Sequence, residues 1–237
     1  MEVSEKKSAT LIRIAAIILI ISALGGIICH LGYHIVSSDI LGEFRNLFGS
    51  FNFINVIGFI GFLASIFAEL VCPVGAVATA IFIFMKKDKL VGIVIMIWGG
   101  LVFLANIVET GANLIVTGLR IGNIYYHLVI MIECLILFLL FLGLGLLYLG
   151  KFKEKSKKIG IILAALFVIV FVVYARDSIY DLDGLLSIGG GFERALRVFF
   201  ADLFIPLFGL LVYVAHTLLS FVGASKEHPV LPKSDNN

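Results

Sequence analysis

An almost unbroken apolar run occupies residues 53–85 and carries a single carboxylate, Glu69, near its middle. At about 1.5 Å per residue, a helix over this run is roughly 50 Å long, which exceeds one bilayer crossing but is too short for two crossings and a turn. The run therefore predicts one long transmembrane helix, with a bend at Pro73 because proline interrupts the helical hydrogen bonds. A charged side chain inside such a helix needs a protein or aqueous partner.

The composition assigns the whole chain to a membrane. Of its 237 residues, 61% are hydrophobic and 14% are charged, whereas soluble domains carry about 25% charged residues. The formal net charge is only +2, and the basic residues lie at predicted membrane edges, so a nucleic-acid partner is not expected. We expect one integral membrane domain over residues 1–237, whose function lies within the helices or on their rims.

Six apolar segments are long enough to cross a hydrocarbon core of about 30 Å. They lie near residues 11–36, 55–85, 90–108, 124–150, 159–175 and 200–222. Every lysine lies on one side of these segments, as in the runs 86–89 and 151–158, while the opposite connections carry arginines and acids. By the positive-inside rule, the sequence predicts an all-α, polytopic bundle of six transmembrane helices in the plasma membrane, arranged as three hairpins with cytoplasmic N and C termini.

Polar side chains share one depth in four of the predicted spans. Each lies about 17 residues from the basic residues of the lysine side, and the four are Glu69, Glu133, Asn106 and His30. This spacing corresponds to roughly 25 Å at about 1.5 Å per residue. Glu109 and His34 lie one helical turn farther from the lysines. The sequence therefore predicts a polar layer in the half of the bundle that lies away from the lysines.

Helical periodicity groups the polar residues of this layer into stripes, because residues three or four apart share a face. The stripes on the second, third and fourth spans are Ser65, Glu69 and Cys72; Asn106, Glu109 and Asn113; and Tyr126 and Glu133. If the stripes face inward, they surround a polar pocket. The three cysteines lie within predicted spans without C-x-x-C spacing, so we expect them to act as small apolar residues.

The carboxylates of the polar layer carry the functional prediction. A charged residue at the centre of a membrane helix costs about 2.5–3.5 kcal/mol on insertion scales, so such residues are functional candidates. We expect a transporter or channel-like protein for a small cation or solute, in which Glu69 and Glu133 bind the substrate or ion. In this scheme Asn106 and Glu109 are supporting ligands and His30 is a relay.

The main alternative is a non-catalytic membrane subunit or scaffold that docks a partner protein or forms a homo-oligomer. In that case Glu69 and Glu133 are protonated and hydrogen-bond neighbouring helices. Small-residue faces and apolar outer loops would then serve association within the lipid bilayer.

The histidines suggest two cofactor alternatives, although we expect no cofactor. His30 and His34 stand at i, i+4, a spacing that suits zinc, with Glu69 or Glu133 completing the site. His34 and His127 instead lie at matching height for a b-type haem. The zinc alternative would make the protein an intramembrane metal-dependent hydrolase. A nucleophile-based enzyme finds little support, because the sequence contains no G-x-S-x-G.

Overall fold

The fold was analysed in a computed structural model of the chain, which describes residues 2–37, 45, 49, 52–152, 155–186 and 203–225. For residues 2–7, 34–37, 177, 179–186 and 224–225 it describes the backbone alone. The described residues form six α-helices, in the order α1 Glu2–Ser37, α2 Phe53–Phe84, α3 Asp88–Thr117, α4 Ile121–Tyr148, α5 Ser156–Leu186 and α6 Ile205–Ser225.

All six helices are long and apolar enough to cross a membrane. Large apolar side chains cover their outer surfaces, with Ile28 and Val74 each 66% exposed and Leu104 59% exposed. Apolar surface of this extent is unusual in a soluble protein and is typical of a surface solvated by lipid tails. The prediction of an all-helical, multi-pass membrane protein is confirmed in this form.

The helices pack in a ring that follows the order of the chain. α1 lies against α2 and α6, α3 lies between α2 and α4, and α5 packs on α6. α4 meets α5 and α6 over a smaller contact than it shares with α3. The lysine-bearing connections 85–87 and 149–155 define what we call the lysine end of α2, α3, α4 and α5.

Glycines allow α3 and α4 to approach within backbone contact. A Cβ atom added at Gly92 would lie 2.6 Å from the carbonyl oxygen of Gly145, and one added at Gly145 would lie 2.7 Å from the oxygen of Gly92. Small residues at a membrane helix interface allow this close van der Waals contact, which stabilises helix pairs in lipid. The α3–α4 contact therefore depends on the absence of side chains at both positions.

Local backbone chemistry sets the helix boundaries. Asn52 caps α2, since its Oδ1 accepts a 2.8 Å hydrogen bond from the backbone N–H of Asn55. α3 ends where Gly118 adopts a φ of +86°, a conformation that disfavours side chains. α3 thus extends beyond the predicted span 90–108, and only residues 118–120 connect it to α4. Glu109 and Asn113 lie within this helix, as the predicted polar stripe of the third span requires.

Two side-chain hydrogen bonds link α6 to other helices. The Ser22 hydroxyl of α1 donates to the Phe208 carbonyl oxygen at 2.7 Å. The Tyr148 hydroxyl of α4 donates to the Leu219 carbonyl oxygen at 3.1 Å. Such bonds fix how the helices are rotated against each other, because the bilayer core offers no water to replace them.

We expect Ser22→Ala to destabilise the protein modestly. The substitution removes one interhelical hydrogen bond, and such bonds contribute about 0.6 kcal/mol on average in membrane proteins, with a maximum near 1.7 kcal/mol. Unfolding in mixed micelles would measure the loss. Thr217→Ala is the matched control, because its hydroxyl donates to the Tyr213 carbonyl oxygen within its own helix. Equal losses in the two variants would contradict a specific α1–α6 contribution.

Candidate functional site

A cavity of about 360 Å³ lies inside the bundle, and residues from all six helices line it. We call it the central cavity. Its lining includes, from α1 to α6, Gly26, His30, Ser65, Glu69, Cys72, Trp98, Asn106, Glu109, Cys134, Phe138, Phe141, Tyr174, Phe208 and Tyr213. The volume is within the range of small-molecule sites, which begins at about 300 Å³.

Four of the five residues predicted to bind substrate or ion line this one cavity. They come from three helices and are His30, Glu69, Asn106 and Glu109. On α2, the cavity is also lined by Ser65 and Cys72, so the whole stripe that contains Glu69 faces inward. The helical spacing on α2 and α3 explains why these side chains converge.

The polar groups of the cavity contact one another across helices. His30 Nδ1 lies 3.3 Å from Glu69 Oε2, and both side chains are about one quarter exposed, at 26% and 25%. This distance suits an ion pair when the imidazole is protonated, but the geometry is not that of a hydrogen bond. The imidazole is therefore a close but poorly aligned partner for the carboxylate.

A second carboxyl group lies close to the first. The Glu109 carboxyl group lies within reach of the Ser65 hydroxyl of α2 and is near enough to Glu69 for their charges to interact. Asn106 is oriented by its own helix, since its Nδ2 donates to the Val102 carbonyl oxygen at 2.8 Å. The cavity thus contains two acids and one imidazole, together with hydroxyl and amide groups.

Glu133 does not join this group. Its side chain is exposed on the outer surface of α4 and does not line the cavity. It lies near the middle of α4 beside the exposed apolar residues Ile132 and Ile136. The structure therefore brings together the predicted residues of α1, α2 and α3 and leaves the acid of α4 outside.

The remaining polar stripe positions also face away from the cavity. Asn113 and Tyr126 are exposed, and neither lines the cavity. His34 lies in α1 four residues after His30, but its side chain is outside the described part of the chain. The polar layer predicted from depth alone is thus divided between the interior and the outer surface.

Aromatic side chains make up a large part of the lining and were not singled out from the sequence. Trp98 and Phe141 meet edge to face at 5.1 Å, and Phe103 stacks on Phe138 at 4.9 Å with an interplanar angle of 14°. Tyr174 and Tyr213 meet at 5.7 Å. The position of the single tryptophan was one available signal, because Trp98 lies inside a span rather than near a membrane interface, where tryptophan is enriched.

Two cysteines also line the cavity: Cys72 belongs to the predicted stripe of α2, whereas Cys134 was expected only to pack. The Cys72 thiol hydrogen-bonds the Trp98 side chain, and Cys134 lies within electrostatic reach of Glu109. All three cysteines are free thiols. Cysteine occurs both in packed interiors and at cavity surfaces, so the residue type alone could not predict which cysteines line the cavity.

An aromatic layer closes the cavity toward the lysine end. The ring of His216 lies 5.2 Å from Trp98, 4.6 Å from Phe141 and 5.3 Å from Phe167, measured between centroids. His216 is fully buried, and its Nδ1–H donates to the Val212 carbonyl oxygen at 2.7 Å. Trp98 and Phe141 line the cavity, whereas Phe167 and His216 lie beyond it. The cavity therefore ends at this layer.

No group of three or more His, Cys, Asp or Glu side chains positioned to hold a metal ion occurs among the described residues. His127 is buried and its ring stacks edge-on against Tyr126, outside the cavity. The zinc and haem alternatives both require His34, whose side chain is not described, so both stay predictions.

The geometry supports binding of a positively charged group. The described lining contains two carboxyl groups and no Lys or Arg, so a cation gains favourable Coulomb energy while an anion does not. The apolar walls strengthen this interaction by excluding water.

Comparison of the chain with protein families, with curated proteins and with solved structures finds no match.

Proposed function

We propose that this protein is a transporter or channel-like protein that moves a small cation or solute through the central cavity. The observation that supports the proposal is the convergence of His30, Glu69, Asn106 and Glu109 on one cavity within the spans. Intramembrane ionisable groups that face a cavity are typical of ion and substrate pathways.

We further propose a plasma-membrane location and three helical hairpins with both termini in the cytoplasm.

In this mechanism Glu69 is the primary cation ligand. Its carboxylate lies 3.3 Å from His30 Nδ1, so the imidazole competes with an arriving cation for the same oxygen. Glu109 supplies the second charge and lies within reach of the Ser65 hydroxyl. Asn106 contributes an amide group on the same wall of α3. Glu133 is not part of the proposed binding site because it faces outward.

We expect Glu69→Gln to reduce cation flux by about tenfold or more. The substitution keeps the side-chain size but removes a charge whose attraction for a cation at 4 Å is about 4 kcal/mol at an effective dielectric constant of 20, and about 1.4 kcal/mol already corresponds to tenfold. Flux and current in proteoliposomes over a panel of monovalent and divalent cations would measure the effect.

Glu133→Gln is the matched control, because it makes the same change at a carboxylate outside the cavity. We expect its flux to equal that of the wild type. If the wild type shows cation flux and Glu69→Gln shows the same flux, the proposed role of Glu69 is wrong. Equal loss in both variants would indicate a role for charge that does not depend on the cavity.

The outward position of Glu133 favours a second candidate function, a non-catalytic subunit or scaffold that docks a membrane partner. A carboxyl group in the middle of a lipid-facing helix surface is costly unless another polar group meets it. Absence of flux for every cation from well-folded protein, together with stable co-purification of a second membrane protein, would favour this candidate over transport.

A further inference from the structure

The central cavity differs from a site for a bare metal ion in both size and lining. Metal cations such as Ca²⁺ take six to eight oxygen ligands at about 2.3–2.6 Å, and Mg²⁺ requires a tight octahedron. The cavity is about 360 Å³, and its exposed lining is mostly apolar. It therefore suits a larger ligand that carries apolar groups of its own.

Aromatic rings line the same cavity as the two carboxyl groups. Trp98 and Phe141 form the end of the cavity at the aromatic layer, while Phe103, Phe138, Tyr174 and Tyr213 form its walls. The face of an aromatic ring carries negative electrostatic potential and attracts a cation within about 6 Å, with Trp the strongest. Such rings bind alkylated ammonium groups well, because these groups are weakly hydrated and carry apolar surface of their own.

We infer that the ligand of the central cavity is an organic cation, in which a single ammonium group carries apolar substituents. The ammonium group lies near Glu69 and Glu109, and the apolar substituents extend toward the aromatic rings that line the cavity. This inference rests on the proposed function and names its substrate class. The carboxylates select the ligand by its positive charge, and the aromatic rings select it by its apolar substituents.

Trp98 allows a direct binding test on the intact protein. It is the only tryptophan in the chain and it lines the cavity, so its fluorescence is sensitive to a ligand bound there. Purified protein in detergent micelles would be titrated with tetraethylammonium, with choline, and with 3,3-dimethylbutan-1-ol, the uncharged isostere of choline. We expect saturable changes in emission with both cations and none with the alcohol.

Substitutions test whether the carboxyl groups of the cavity recognise the charge of the ligand. We expect Glu69→Gln and Glu109→Gln each to weaken tetraethylammonium binding by about tenfold, which corresponds to about 1.4 kcal/mol. Asp88→Asn removes a carboxylate at the lysine end, outside the cavity, and should leave the affinity unchanged. Thermal unfolding would confirm that each variant is folded, and the comparison of choline with its isostere needs only the wild type.

Binding of the alcohol as tightly as choline would overturn the inference, as would the absence of any saturable change or equal competition by sodium or potassium. The proposed function fails separately, in the flux assay. Ammonium binding without flux would uphold the ligand class and reject transport. Flux of inorganic cations without ammonium binding would uphold transport and reject the ligand class.

Discussion

Gly26→Leu should abolish flux and ligand binding while the protein stays folded. Gly26 lines the central cavity, and a Cβ atom added there would meet nothing within 4 Å. The first carbon of a leucine side chain therefore has open space at this position, and the side chain occupies volume that a ligand needs. The change also improves intrinsic helix propensity, since Gly is about 1 kcal/mol less favourable than the best helix formers.

Three measurements would check this prediction: proteoliposome flux, tetraethylammonium binding by Trp98 fluorescence, and thermal unfolding. Gly122→Leu is the matched control, because a Cβ at Gly122 also meets nothing within 4 Å but the residue does not line the cavity. Undiminished flux in a folded Gly26→Leu protein would show that the transported species does not pass through the cavity.

Gly92→Leu should prevent the bundle from assembling. The first atoms that the new side chain would meet are the Gly145 carbonyl oxygen at 2.6 Å and the Tyr148 Cβ at 3.1 Å. Backbone atoms cannot move aside as a flexible side chain can, so α3 and α4 must separate. We expect a loss of about 3 kcal/mol or more, at or above the upper end for overpacked cores.

The yield of monodisperse protein after detergent extraction would measure this effect. Gly111→Leu is the control in the same helix, because a Cβ at Gly111 meets nothing within 4 Å. Normal yield and stability of Gly92→Leu would mean that the α3–α4 contact contributes little to the fold. Separation of α3 from α4 would also pull Trp98 away from Phe141 and open the aromatic layer.

The sequence predicted the helices and part of the site for identifiable physical reasons. Long apolar runs have few alternatives to transmembrane helices, so six helices followed from hydropathy. Glu69 and Glu109 could be placed near each other because depth and helical spacing both follow from a rise of about 1.5 Å per residue.

Whether Glu133 faces the inside or the outside of the bundle could not be predicted by the same argument. α4 is apolar on every side, with Ile132 and Ile136 exposed and Leu140 and Leu144 buried. In lipid both faces of a helix favour apolar side chains, so periodicity does not distinguish the inner face from the outer one. The aromatic lining was missed for this reason as well, since a phenylalanine ring is equally stable against lipid and inside a cavity.

α3 is longer than the predicted span 90–108 and includes the whole polar stripe of the third span. Glu109 and Asn113 belong to α3, which ends only at Gly118, where the backbone adopts a positive φ. The hydropathy of the span did not indicate this end, since polar side chains are stable within a helix that borders a cavity.

The aromatic layer has a consequence for the transport that we propose. Trp98, Phe141, Phe167 and His216 meet with centroid separations of about 5–6 Å and form a floor beneath the cavity. Under the proposed function, a solute bound by Glu69 could leave toward the lysine end only after these four rings had separated. Transport would then proceed one occupant at a time, at the pace of a rearrangement of the helices rather than of diffusion through an open pore.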